Sequence, residues 1–179
     1  MKHIARAALA GALVLIGSAH ASDGTINITG KIVGNTCTVN GSGTSVAVAL
    51  PSVTASAMPS ADVTQGSTPF SMKLKCTDGA TPTPANIAGS VKAYFEGANV
   101  DMATGRIKLT GTNTASNLQL QLLNSDDTII KIGDPSTIKG GVFDTNGEVT
   151  LTYKVRYYAT GAVTAGSANS SVLFSLYYQ

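Results

Sequence analysis

The stretch Gly24-Thr25-Ile26-Asn27-Ile28-Thr29-Gly30-Lys31-Ile32-Val33 alternates with a period of two, and so does the terminal run Val172-Leu173-Phe174-Ser175-Leu176-Tyr177-Tyr178. In the first, Ile26, Ile28 and Ile32 share a face with Gly24 and Gly30. In the second, Val172, Phe174, Leu176 and Tyr178 share one. Side chains of a strand repeat every two residues, so each ladder reads as a strand with one buried face. The N-terminal ladder lies ahead of the first cysteine, where a compact domain often has only a loose tail. A sticky strand outside a core invites aggregation unless something receives it. The pattern therefore suggests a chain that lends a strand to another chain. An ordinary first strand, paired within its own domain, is the other reading of the same residues.

Residues 1–21 read as a targeting segment. Lys2 and Arg6 precede the apolar stretch Ala7–Gly17, and Ala19-His20-Ala21 has the small-x-small pattern of a cleavage site. Cleavage after Ala21 leaves Ser22–Gln179. It removes His3 and His20, which are both histidines of the chain. The 12 basic residues lose Lys2 and Arg6, so 10 remain against 10 acidic ones. A neutral chain with scattered charge has no electrostatic footprint for nucleic acid or an anionic membrane. Few charges on a neutral surface favour association instead.

Cys37 and Cys76 are the only cysteines. An exported chain meets an oxidising compartment, so a disulfide between them is expected. Closing a loop of roughly 40 residues stabilises by about 4 kcal/mol in the chain-entropy view. Metal or redox chemistry would need CxxC spacing or a nearby histidine.

Short strands alternate with turn signals along the rest of the chain. A strand from about Ile26 reaches Val39 and breaks at Asn40-Gly41-Ser42-Gly43. Val46, Val48 and Leu50 predict a second, ending at Pro51, with a polar loop from Ser52 to Thr68. Phe70, Met72, Leu74 and Cys76 alternate against Lys73 and Lys75. Further strands are expected at Val91–Phe95, Ile107–Leu109, Leu118–Leu122, Thr128–Ile132 and Glu148–Ala159, with a tight turn at Asn146-Gly147. No segment has sustained helical periodicity. These elements predict an all-β, immunoglobulin-like Greek-key sandwich of about seven strands in one domain.

Catalysis finds little support, because without histidine no Ser–His or Cys–His pair can form. No pair of carboxylates stands out as a glycosidase site. Tyr153, Tyr157, Tyr158 and Tyr177 are the residues a sugar platform would use, although alternating aromatics in strands more often pack. Asp126, Asp127 and Asp134 hint at calcium without the spacing of a binding loop. The reading is of a protein with no cofactor, no metal and no small-molecule substrate.

Six segments in order carry a resemblance. They are Ile28–Val33 leading to Cys37, Pro69–Cys76, Ala93–Gly97, Leu118–Leu122, Tyr157–Gly161, and Gly166 through Tyr178. Together they resemble the pilin subunits of chaperone–usher fimbriae, of the type 1 kind, over essentially the whole chain. The resemblance implies a sandwich lacking its last strand, with a groove along the terminal strand. A periplasmic chaperone fills that groove first, and the N-terminal extension of the next subunit replaces it at an outer-membrane usher. Carried over by position, 22–33 is the donor extension and 34–179 the pilin domain. Gly24, Ile26, Ile28, Gly30 and Ile32 then face the neighbour's groove. Gly166, Val172, Phe174, Leu176 and Tyr178 belong to the accepting strand. The implied protein is a homo-polymerising structural subunit at the cell surface, supporting adhesion and biofilm formation. The alternative is an exported β-sandwich adhesin or lectin-like module.

Overall fold

The computed structural model describes residues 36–39, 45–77 and 90–178. The chain divides into two compact units, Met1–Ile32 and Val33–Gln179. The first lies outside the described residues, and with it the expected targeting segment, the donor ladder through Ile32 and the early part of the first strand. The breaks expected at Asn40–Gly43, Asp78-Gly79 and Pro82–Pro84 lie outside them too.

Nine strands are present among the described residues: β1 Thr36–Val39, β2 Thr64–Thr77, β3 Ser90–Glu96, β4 Val100–Asp101, β5 Arg106–Lys108, β6 Leu118–Asn124, β7 Gly141–Val142, β8 Glu148–Ala159 and β9 Leu173–Tyr178. They form a six-stranded sheet in the order β1-β2-β8-β6-β5-β4 and a three-stranded sheet in the order β7-β3-β9. All ladders between them are antiparallel. The longest, β2 on β8, brings Phe70 opposite Tyr153 and Leu74 opposite Val149.

Alternation decides which faces meet. Along β8, Val149, Leu151, Tyr153, Val155, Tyr157 and Ala159 are buried, and the residues between them are exposed or half-buried. Along β3, Val91, Ala93 and Phe95 are buried. Together with Met72, Leu74, Leu120 and Leu122 they make one core between the sheets.

Tyr153 also bridges the sheets through a polar bond. Its ring stands edge-on to Phe95, with centroids 5.2 Å apart. Its hydroxyl accepts from the Ala93 amide at 3.2 Å and donates to the Lys139 carbonyl at 2.9 Å. Burial raises its pKa above the usual tyrosine range. At the end of β6, the buried Asn124 donates to the Thr128 and Thr137 carbonyls and accepts from the Lys139 amide. Those bonds tie loop 125–139 to the sandwich.

At the edge of the sandwich, Cys37 is disulfide-bonded. The register of β1 on β2 sets it opposite Cys76.

Several expected elements differ. Among the described residues, Val46–Leu50 pairs with no strand. Its side chains still alternate, with Val46, Val48 and Leu50 half-buried and the residues between them exposed. Part of the expected Ser52–Thr68 loop is strand, because β2 begins at Thr64 and pairs there with Tyr158. A bulge between Gln65 and Thr68, with Gly66 at φ +67°, lets small polar residues join the sheet. Residues 128–132 are not a strand. They turn back on β6 through an isolated bridge, Leu123 to Ile129, and an Ile130 amide bond to the Leu122 carbonyl.

Gly166 lies seven residues before β9, where Thr114 and Ser167 form an isolated parallel bridge. The Ala115 amide donates to the Ser167 carbonyl, and the Ser167 amide to the Asn113 carbonyl. A Cβ on Gly166 would stand 2.4 Å from the Ala115 amide nitrogen. Real side chains do not approach backbone that closely.

Two substitutions test this frame. Tyr153→Phe leaves the buried Ala93 amide without its partner and removes the bond to the Lys139 carbonyl, and should cost about 1–3 kcal/mol in urea unfolding. Gly166→Ala must push two loops apart, and should cost about 1–3 kcal/mol as overpacking does. A Gly166→Ala variant as stable as the parent would show that the contact yields without strain.

Candidate functional site

Strand β9 is an edge. Among the described residues it pairs with β3 alone, in a register running from Glu96 opposite Leu173 to Val91 opposite Tyr178. The inward residues of β3 are buried, but Phe174, Leu176 and Tyr178 beside them are only half-buried. The core thus loses its cover along β9. Segment 45–50 has the same character, with half-buried apolar side chains and no ladder among the described residues.

These two extended stretches border one cleft of about 400 Å³. Val46, Val48 and Leu50 line it from the first, and Val172, Leu173 and Phe174 from the second. Core residues of both sheets line it as well, among them Phe70, Met72, Phe95, Leu120 and Leu122. Its polar lining consists of the serines Ser45, Ser170 and Ser171. A small-molecule site needs a few converging polar groups to fix orientation. This cleft offers no charged residue for that purpose. Its chemistry suits an extended segment that supplies apolar side chains and backbone hydrogen bonds together.

The far end of β9 is closed differently. The Tyr178 hydroxyl donates to Cys37 Sγ at 2.9 Å, and burial raises the pKa of that hydroxyl. Val172 and Phe174 therefore line the cleft itself. Leu176 and Tyr178 pack on the core beyond its lining, and Gly166 sits in the loop bridge described above. The donor-face residues Gly24, Ile26, Ile28, Gly30 and Ile32 lie outside the described residues. Sequence reading missed Val46, Val48 and Leu50 as cleft residues. Their alternation was visible, but it reports side-chain environment and not whether the backbone has a partner.

The tyrosines form no common platform. Tyr153 and Tyr157 are core residues. Tyr158 lies on the outward face of the six-stranded sheet with the Arg106 guanidinium 3.5 Å from its ring centroid, and Tyr177 is exposed on the other sheet. The acids are engaged locally. Asp126 bonds Lys139 and Thr128, which hold its carboxyl at about 2. Asp127 pairs with Lys154 at 2.7 Å, and Asp134 caps the short turn Pro135–Thr137. Among the described residues, no group of three or more His, Cys, Asp or Glu could hold a metal ion.

Residues 26–179 match the family model described as fimbrial protein. The chain is 39% identical over 163 residues to the F17 fimbrial protein of Escherichia coli, covering 89% of each. It is 37% identical over 174 residues to the major fimbrial subunit SMF-1 of Stenotrophomonas maltophilia, covering 90% of this chain and 95% of that one. Its fold is similar to a subunit in a solved chaperone–usher pilus, described as revealing the basis of rod uncoiling. There the TM-score is 0.58 at 17% identity, over 88% of this chain and 96% of the other. An all-β sandwich with an open apolar edge, and relatives that are fimbrial subunits over nearly their whole length, lead to one conclusion: the chain belongs to the fimbrial protein family, whose members are structural subunits of surface pili.

Proposed function

We propose that this chain polymerises by donor-strand exchange into a chaperone–usher fimbria that supports cell adhesion and biofilm formation. One observation carries the reading. Segment 45–50 and strand β9 both direct half-buried apolar side chains at a single cleft, and among the described residues neither has a ladder along it. A single strand laid between them supplies both missing ladders and fills the cleft.

The occupant is the N-terminal extension, 22–33, of another copy or a related subunit. Its Ile26, Ile28 and Ile32 enter the cleft on the face shared with Gly24 and Gly30. Thr25, Asn27, Thr29 and Lys31 face outward. Burying three isoleucines contributes about 1.5–3 kcal/mol each, before the backbone bonds. Before assembly a periplasmic chaperone covers the same edge, and an outer-membrane usher exchanges it for the extension. Residues 1–21 direct export and are removed. A Cys37–Cys76 disulfide holds β1 on β2 within the domain 34–179. The binding-module alternative gains nothing from the cleft, whose apolar lining suits a strand better than a sugar.

A domain starting at Gly34 should bind a peptide of Ser22–Val33 slowly and nearly irreversibly. Its melting temperature should rise by at least about 10 °C, since each kcal/mol is worth roughly 2–4 °C at this size. A truncated domain that is stable alone and ignores the peptide would refute strand exchange. In the full chain, Ile28→Asp places a charge in an apolar cleft. It should abolish the ladder of polymers seen when unboiled samples are run in detergent gels. An intact ladder from that variant would remove Ile28 from the interface.

A further inference from the structure

The expected exported chain keeps 10 basic residues, scattered in sequence, and the fold gathers six of them on one surface. Lys73 and Lys75 of β2, Arg106 and Lys108 of β5, and Lys154 and Arg156 of β8 alternate with the buried residues Leu74, Ile107 and Val155. All six therefore lie on the outward face of the six-stranded sheet. Three of them are paired. Lys73 and Lys75 reach Glu148 at 2.9 and 3.2 Å, and Lys154 reaches Asp127 at 2.7 Å. Among the described residues, Arg106, Lys108 and Arg156 have no carboxylate at ion-pair distance.

The two arginines are held by neutral groups. Arg156 donates from Nε and Nη2 to Gln121 Oε1, at 2.9 and 2.7 Å. The Arg106 guanidinium lies on the Tyr158 ring, and its Nε is buried with no hydrogen-bond partner. The registers of β5 on β6 and of β6 on β8 put the two arginines on either side of Gln121. The Tyr158 hydroxyl donates to Asp62; that bond raises the pKa of the hydroxyl, and both guanidinium charges pull against the rise. The other acid nearby, Asp101, already accepts from the Gln119 side-chain amide and the Ala103 backbone amide, each at 3.2 Å. Half-buried guanidinium groups without a counter-ion favour an anion from outside, and their planar fork matches the two oxygens of a carboxylate.

The rest of the face narrows the choice of partner. Its remaining polar groups include the Gln119 amide and the Ser71 and Thr152 hydroxyls, which suit sugar hydroxyls. A nucleic acid would need a free aromatic ring for its bases, and the Tyr158 ring is covered by Arg106. A protein partner would need an apolar anchor at the centre, where charged and amide side chains stand instead. We propose that the outward face of the six-stranded sheet, centred on Arg106 and Arg156, binds an acidic polysaccharide through the carboxylates of its uronic acid units. The site is complete in one subunit. Its repetition along a fibre rests on the strand-exchange reading, and there a long polysaccharide meets many copies at once, so that weak single contacts sum to firm attachment.

The experiment uses full-length chain assembled into fibres, sheared from cells that produce it. The probe is immobilised polygalacturonate; neutral dextran, dextran sulfate and duplex DNA are the comparisons. The variants are Arg106→Gln, Arg156→Gln and the pair together, with Lys92→Gln on the opposite sheet as a control that removes one charge elsewhere. Unboiled detergent gels read assembly in each. The expected result is binding to polygalacturonate that weakens with salt, exceeds binding to the other three polymers, and falls at least about tenfold in the double variant while Lys92→Gln keeps it. Equal binding by the double variant and the unsubstituted chain overturns the proposal, and so does an equal loss in Lys92→Gln. Tighter binding to dextran sulfate, to DNA or to neutral dextran also overturns it, because the partner would then be of another chemistry. If the arginine variants give no polymer ladder, the exposed pair Lys108→Gln and Lys131→Gln, at the rim of the same face, carries the test, and unweakened binding by that pair overturns the proposal. Absence of a ladder from the unsubstituted chain is a separate outcome: it strikes the strand-exchange reading, while binding of the unassembled chain to the same probe still decides the site.

Discussion

An edge strand that carries a row of apolar side chains leaves two demands unmet at once. Its backbone amides and carbonyls lack partners on one side, and the hydrophobic surface beneath them lacks cover. Among the described residues strand β9 is in this position, with Phe174, Leu176 and Tyr178 half-buried beside the fully buried Val91, Ala93 and Phe95. Turning the side chains outward would expose them further. Pairing β9 with 45–50 directly would need the two stretches side by side, yet a cleft lined by Phe70, Met72 and Leu122 opens between them. One added strand meets both demands, because it carries backbone and side chains together.

A domain with such an opening must hold its remaining parts firmly. The two sheets are joined by more than apolar packing: the Tyr153 hydroxyl ties β8 to the Ala93 amide of β3 and to the Lys139 carbonyl. The disulfide at Cys37 holds the edge where β1 lies, and Tyr178, the last residue of β9, donates to its sulfur. Gly166 lets loop 165–168 lie against 113–115 at backbone distance, just ahead of β9. None of these residues lines the cleft, so the contacts that hold the sandwich leave it open. On the strand-exchange proposal, a docking strand meets a largely formed site, which lowers the ordering cost of binding.

Long alternating strands were legible because burial and backbone pairing coincide in them. β8 was expected at Glu148–Ala159 and stands at those bounds; β6 and β3 were found to within two residues of their ends. The failures occur where the two properties separate. Val46, Val48 and Leu50 alternate as a strand does but have no ladder among the described residues, so the side-chain signal and the pairing part company there. Thr64–Thr68 shows the reverse, since small polar residues without apolar alternation enter the sheet on the strength of pairing with Tyr157 and Tyr158. Strands of two residues, β4 and β7, are too short for periodicity to reveal. Val172 and Phe174, on the alternating face of the terminal run, line the cleft, whereas Gly166 lies in the loop bridge ahead of β9.

The period of two that made β9 legible also gives it two separate surfaces. Substitutions at even-numbered positions act on the cleft and the core, while those at 175 and 177 act on the outward face. Leu173 sits where the two surfaces meet, since it lines the mouth of the cleft and is largely exposed outside it. Filling the cleft and covering the outward face are therefore independent in their chemistry yet adjacent in space. Under the proposed strand exchange, a seated strand extends the same sheet whose outer side bears Tyr177.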